Sequence, residues 1–460
     1  MRREMFLFIT ALLFTAGNMT AACLCGNNIH GHWAPALVAA ASTALTAILL
    51  PFCIKFSRLT FLLFPLLGAS GFLCVETMRP DVRSSLLRDS RSMDIHGIII
   101  DGGLSSSGRP FLELSLGNEN TIIYNIPDTV CWMPGDSVHA TVRCARVRNF
   151  SEDFDYRGHM EDRGIFYTCF CGKNSTVKVL TSKSCPLRVL PARLRWRFSA
   201  AVNAALPSDG MAQTRAVVKA LAYGYQDEIP AEIEESFRQS GAIHLLALSG
   251  MHLGLLYGLL LKLLAFTGNS PAARRVRSII IILALWAFTI FTGCGVSILR
   301  AAVMFSIYEA GALAGRRRNG LNALSLSAII ITVADPAAPS RISFQLSYAA
   351  MTAIFLIFPY LRGIVTVRNK ALGKIADACA MTIACQATTA PIIMLHFGTF
   401  AFFSLLANML CTPIVSIAML LIPAVLIIQD TANAILGLPG RLLELAIELF
   451  IRINATISSL

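Results

Sequence analysis

Gly241 to Leu256, GAIHLLALSGMHLGLL, sets two histidines and a Ser-Gly pair inside an otherwise apolar run. A run this apolar reads as membrane-embedded, where no water satisfies polar side chains or freed backbone groups. Polar residues at that depth face a cavity, a pathway or another helix. The segment therefore reads as a lining element of a membrane protein, not as lipid-facing filler. The rest of the chain agrees. Of 460 residues, 55% are hydrophobic and 14% charged, and the mean hydropathy is +0.63. That composition excludes a string of soluble domains and fits a polytopic α-helical membrane protein.

About 20 apolar residues cross a bilayer. The runs that qualify are 5–24, 34–54 and 59–77, then, after a polar stretch, 243–265, 277–293, 296–315, 321–334, 343–361, 375–396 and 400–428. An amphipathic run, 441–458, closes the series. Met1-Arg2-Arg3 ahead of apolar Met5 to Leu13 resembles a signal peptide, but two more spans follow at once, so an uncleaved first span is expected. The net charge of +12 invites a nucleic-acid reading. Its excess, however, sits in short loops: Arg2/Arg3, Lys55/Arg58, Arg274/Arg275/Arg277, Arg316 to Arg318, and Arg362 through Lys374. That is positive-inside loop charge. With the N-terminus cytoplasmic, one topology puts every cluster inside and delivers residues 79–240 to the extracytoplasmic side.

The outer region reads as two parts. Over 79–185, short alternating segments (MDIHGIII, RPFLELSL, ENTIIYNI, DSVHATVRCARV, GIFYTCFCG, STVKVL) are punctuated by Gly102-Gly103, Gly117-Asn118 and Pro134-Gly135-Asp136 as turns. Five or six such strands predict a small β-barrel of OB type. Residues 186–240 predict an amphipathic, interfacial helical linker whose apolar middle, Ala200 to Ala222, lies on the membrane surface. Residues 241–460 form the helical transmembrane domain. Cys131, Cys144, Cys169, Cys171 and Cys185 lie in the outer region, where an oxidising compartment permits a disulfide. One bridge from Cys131 to Cys169 or Cys171 is the expectation, with buried free thiols as the alternative.

Several groups could carry chemistry. His244 and His252, read as one helix, share a broad face with Ser249 between them. Three readings compete: a Ser249 nucleophile in an intramembrane hydrolase, a two-histidine metal site lacking further ligands, and a polar-lined passage or packing knot. Arg300 and Glu309, nine residues apart, fall on opposite faces of 296–315, so each needs a partner elsewhere or an aqueous cavity. Asp335, with Pro336 ending one span, Gln345 between Ser343 and Ser347 at the start of the next, and Asn408 ahead of Thr412-Pro413 are further polar positions at span ends or within spans. In the outer region Arg163, Lys173, Lys178, Lys183, Arg193, Arg195 and Arg197 are interleaved with Phe166, Tyr167, Phe170, Trp196 and Phe198. Positive charge follows a phosphate backbone and rings stack bases, the combination used for single strands. An interfacial helix holding anionic lipid fits the same residues.

These motifs resemble, over nearly the whole chain, the ComEC family of competence proteins, the inner-membrane channels of bacterial DNA uptake. GAIHLLALSGMHLGLL looks like that family's central motif. GVSILRAAVM, DPAAPSRISFQLSYAA and TTAPIIMLHFGTFAFFSLLANMLCTPIV resemble the motifs after it, and FDYRGHMEDRGI is similar to its soluble-domain signature. The resemblance implies an outer OB-type domain, a competence-type bundle in the bacterial inner membrane, and passage of single-stranded DNA to the cytoplasm. It implies no catalysis and no cofactor, and points to His244, Ser249, His252, Arg300, Asp335, Gln345 and Asn408 without assigning each a role; the expectation is that these polar residues and Glu309 line the path. Implied partners are single-stranded DNA, membrane lipid, a periplasmic DNA-delivery protein and a cytosolic strand-binding or motor protein. Many members continue into a metallo-β-lactamase-like domain. No HxHxDH occurs here, so a short form is expected. The competing functions are the Ser249 hydrolase and a small-solute secondary transporter with broken helices.

Overall fold

A computed structural model describes residues 89–104, 109–117, 119–127, 130–149, 156–157, 160, 165–172, 175–180, 189–206, 211–268, 270–315, 318–335, 338–364, 369–398, 403–428 and 437–459. The expected spans 5–24, 34–54 and 59–77 lie outside them, as do Arg163, Lys173, Lys183 and Cys185.

Six strands make the first unit: β1 (Ser90–Leu104), β2 (Pro110–Ser115), β3 (Asn120–Tyr124), β4 (Ser137–Arg146), β5 (Ile165–Phe170) and β6 (Val177–Leu180). The order β1-β2-β3-β5-β4, with β1 also pairing β4, closes five strands into a barrel, and β6 adds to β4. The β3–β5 pair is parallel and the others antiparallel. This is the expected OB-type barrel. The first half of β1 pairs with β4 and its second half with β2, and the register shifts between Ile99 and Asp101. Such a bulge bends a long strand so that it serves two sides of a barrel. The core is apolar: Ile99, Leu112, Leu114, Ile123, Val138 and Ala140 are fully buried. Gly102-Gly103 is not a turn, contrary to expectation, but lies inside β1 opposite Leu112 and Phe111. A Cβ on Gly102 would stand 2.6 Å from the Leu112 side chain and 2.8 Å from the Trp132 ring. The glycine is there for close packing, not for reversal.

The helices follow: α1 (Leu190–Ala205), α2 (Ala212–Tyr223), α3 (Ala231–Gln239), α4 (Ile243–Leu246), α5 (Gly250–Leu263), α6 (Pro271–Phe291), α7 (Val296–Leu313) and α8 (Gly320–Ala334). Next come α9 (Ile342–Thr352), running through a π turn (Ala353–Ile357) into α10 (Phe358–Ile364), then α11 (Lys370–Phe397), α12 (Ser404–Ile428) and α13 (Gly437–Ser458). Among the described residues five stretches are long and apolar enough to cross a membrane: Gly250–Thr267, Val296–Leu313, Ile342–Ile364, Leu372–His396 and Ser404–Val425. The protein is thus a multi-pass helical membrane protein with an inserted small barrel.

Between barrel and bundle, α2 departs from expectation. Its residues Ala216 to Tyr223 are all buried, in one core with Ala407, Cys411 and Val415 of α12 and Leu443, Ile447 and Phe450 of α13. Helix α2 is covered by protein instead of lying on a lipid surface. Apolarity alone does not distinguish those two partners. Lys219, 3% exposed, is tolerated there because Glu228 Oε2 sits 2.7 Å from its Nζ.

Candidate functional site

The opening motif forms two helices, not one. Helix α4 ends at Leu246, Ala247 is extended, and Ser249 (φ −128°, ψ 170°) is the N-cap of α5. Ser249 Oγ accepts from Met251 N–H at 3.3 Å, and Ser249 N–H donates to His252 Nδ1 at 3.2 Å. The pair is a capping box in which histidine stands where glutamate or glutamine is usual. The break is seated by α2: Gly224, its left-handed C-cap (φ 82°), leaves room for Leu248, whose Cδ1 would lie 2.7 Å from a Cβ there. The shared face expected of His244 and His252 therefore does not exist, because the 247–249 break separates them. His244 is exposed, and its Nδ1 donates to the Gly241 carbonyl at 3.0 Å. His252 is fully buried, and its Nε2 has no hydrogen-bond partner among the described residues. Ser249 Oγ is 3.1 Å from His252 Nδ1, a contact that the cap itself produces.

Arg300 lies one turn into α7 and is 4% exposed. It donates to the Ser343 carbonyl at 2.6 Å and to Ser297 Oγ at 3.4 Å, while Ser343 Oγ is 3.5 Å away. These partners are neutral. Arg300 also lines a cavity of about 70 Å3, together with Gly250, Ser327, Ser347 and Tyr348. Glu309, at the other end of α7, is fully buried and saturated. Tyr257 Oη and Ser278 Oγ each donate to it at 2.5 Å, and Arg318 Nη2 at 2.7 Å. Its partners come from elsewhere, as the helix geometry required: it binds α5, α6 and the α7–α8 connection together. The sequence reading missed these partners. A tyrosine, Tyr257, and a serine, Ser278, inside apolar runs were the available signal.

Asp335 pairs with Arg341 at 2.5 Å across the α8–α9 turn, and Gln345 Nε2 donates to the Pro339 carbonyl at 3.1 Å. Both fasten the turn. Asn408, one turn into α12, is half-buried with its Oδ1 unpartnered. Of the expected pathway residues, Arg300 is the one in the lining of the cavity of about 70 Å3.

On the barrel side, Lys178 and Arg197 are exposed, Arg193 is half-buried and Trp196 is 38% exposed. Arg195 has a different task. Its Nη2 meets Asp101 Oδ2 of β1 at 3.4 Å and its Nη1 donates to the Phe291 carbonyl at the end of α6 at 3.3 Å. It joins barrel to bundle. Phe166 is buried, Tyr167 packs against the barrel core, and Phe198 is wedged between Tyr223 and Phe291. Phe170 stacks on Tyr124 with centroids 5.6 Å apart, and Phe111, Tyr124, Phe170 and Arg143 are in register across four strands. Cys131 is exposed, and Cys171 does not meet it. It is Cys144 that faces Cys169, sulfur to sulfur at 2.8 Å, because their Cα atoms are register partners on β4 and β5. That contact and burial push the Cys169 thiol far above its ordinary range. Among the described residues no three His, Cys, Asp or Glu converge as a metal site would need.

An OB-type barrel latched to a broken-helix, polar-cored bundle defines a class of membrane protein, and comparison with known proteins gives it a family. Residues 221–460 match the Competence protein family, and the chain belongs to it. It is 28% identical over 310 residues to ComE operon protein 3 of Bacillus subtilis (strain 168), covering 65% of this chain and 36% of that protein. It is also 28% identical over 204 residues to an uncharacterized protein of Aquifex aeolicus (strain VF5), covering 44% of each. The chain thus spans less than half the length of these relatives. No solved structure matches it.

Proposed function

We propose that this protein takes single-stranded DNA across the bacterial inner membrane during natural transformation. The barrel lies on the extracytoplasmic side in this reading, the N-terminus in the cytoplasm. The barrel receives the strand, the bundle passes it inward, and no bond of the strand is broken. A delivery protein outside and a strand-binding or motor protein inside are the partners this requires. The observation that carries the proposal is Arg300: a guanidinium buried in an apolar bundle, held among the described residues by neutral groups, beside a cavity. Charges at membrane depth are expensive and mark pathways, and a polyanion is the cargo a lone cation suits.

The cavity beside Arg300 is about 70 Å3, well below the roughly 300–1,000 Å3 of a pocket for a drug-sized molecule. The conformation described is therefore closed at this point, and passage requires α5, α7 and α9 to part. The test is reconstitution of the full chain in liposomes with labelled single-stranded DNA outside and a strand-binding trap inside. Trapped label that needs the protein is expected, and Arg300→Ala is expected to abolish it at normal membrane levels. Entry equal to that of protein-free liposomes rejects the proposal.

A further inference from the structure

Arg300 makes no ion pair among the described residues, and its Nε has no hydrogen-bond partner. A buried cation compensated only by neutral dipoles leaves a large desolvation penalty standing. The cavity it lines supplies the rest of the geometry. Gly250, the first residue of the 14-residue α5, forms one wall, so the positive end of that helix dipole faces the same space. Ser347 and the pair Ser327–Tyr348 line it too; Ser327 Oγ donates to the Leu324 carbonyl at 2.7 Å and lies 3.0 Å from Tyr348 Oη. A water needs about 10–15 Å3 of such space. A cavity of about 70 Å3, lined also by Ala301, Met304, Phe305, Leu324 and Met351, has room for one compact oxyanion beside Arg300. No acidic residue lines it. Its lining comes from α5, α7, α8 and α9, so a group held beside Arg300 is enclosed on several sides, which suits a tetrahedral group with several acceptor oxygens.

We propose that this cavity is an oxyanion site that takes one phosphate group. On the conduit reading, on which this further step rests, that group is a phosphodiester of the entering strand, held on the barrel side of the bundle before the helices part. The closed bundle then has a ligand-recognition element at its threshold: phosphate supplies the charge that Arg300 lacks and competes for the donors that tie Arg300 to Ser343 of α9.

Thermal unfolding of the full chain in phosphate-free detergent, titrated with inorganic phosphate against chloride at matched ionic strength, tests the site. The wild type is expected to show a saturable rise in Tm that chloride does not give, and Arg300→Gln is expected to lose it. Gly250→Ala guards against misfolding of that variant. Its methyl would sit 3.5 Å from Ala301 Cβ, an ordinary contact, so it narrows the cavity without a clash and should weaken the phosphate response. A wild type with no phosphate-specific rise, or a full rise kept by both variants, overturns the site. A second arm adds short single-stranded oligonucleotides with phosphodiester or uncharged methylphosphonate linkages. Competition with phosphate by the charged strand alone supports the phosphodiester assignment, whereas competition by neither confines the site to free phosphate and overturns that assignment. DNA entry into liposomes without any phosphate response would leave the conduit standing and remove the site.

Discussion

Arg318 Nη2 lies 2.7 Å from Glu309 Oε2, although the two residues are nine positions apart and only Glu309 is buried. The α7–α8 connection folds back so that an exposed guanidinium neutralises a carboxylate sunk in the bundle, and its plane rests 5.7 Å from the Tyr308 ring centre. Three helices are pinned by one side chain.

Glu309→Ala is expected to destabilise the bundle by about 3 kcal/mol, since it strands Tyr257, Ser278 and Arg318 together. Arg318→Ala should do less, because Arg318 is 35% exposed and water replaces part of what it gives. The check is detergent-solubilised Tm for both variants. Equal, small shifts would mean that the three donors find other partners.

Arg195→Ala is expected to loosen the junction without unfolding the barrel. The pair with Asp101 is partly exposed, so about 1 kcal/mol is at stake. Hydrogen exchange should rise in β1 around Asp101 and at the end of α6, and stay unchanged in β3 and β5. Unchanged exchange at both places would show that the Phe198–Tyr223–Phe291 ring cluster holds the junction alone.

Ser249→Ala removes the α5 cap and is expected to lower stability by about 1 kcal/mol, with DNA uptake reduced only modestly. Ser249→Asp, which also caps, should restore the stability. Complete loss of uptake in both variants, at normal membrane levels, would instead favour chemistry at the hydroxyl.

Cys144 and Cys169 are expected to close to a disulfide when the protein folds in an oxidising compartment, and Cys131 to stay free. Under reducing conditions Cys131 should take a maleimide at pH 8. Cys169 should not, because its raised thiol pKa leaves it protonated there and only the thiolate attacks. Mass spectrometry of labelled peptides, with and without reductant, decides. A Cys131-linked peptide would overturn the pairing.

Helices α6 to α13, of which α7, α9–α10, α11 and α12 are long and apolar enough to cross a membrane, and the strands of the barrel were legible because each depends on one periodic or cumulative property of the chain. Run length fixes a membrane helix, and alternation fixes a strand. What was not legible depends on the partner. Gly102-Gly103 has turn composition, yet Trp132 and Leu112 claim the space beside Gly102 and Tyr225 that beside Gly103. Helix α2 is apolar enough for lipid, but α12 and α13 cover it. His244 and His252 share a face only in an unbroken helix, and the break depends on a cap that Ser249 and His252 form in three dimensions. At Arg300 and Glu309 the sequence told that each needs company. It did not tell that one is saturated and the other is not.

The three residues between α4 and α5 have a mechanical consequence. Ordinarily a transmembrane rod that tilts mid-length must first tear its own amide ladder, but here the ladder is already interrupted and its loose end tied off by Ser249. A change in the angle between α4 and α5 would therefore break no helical hydrogen bond at 247–249, where Leu248 sits against Gly224, and what holds α5 in place is its tie through Tyr257 to Glu309.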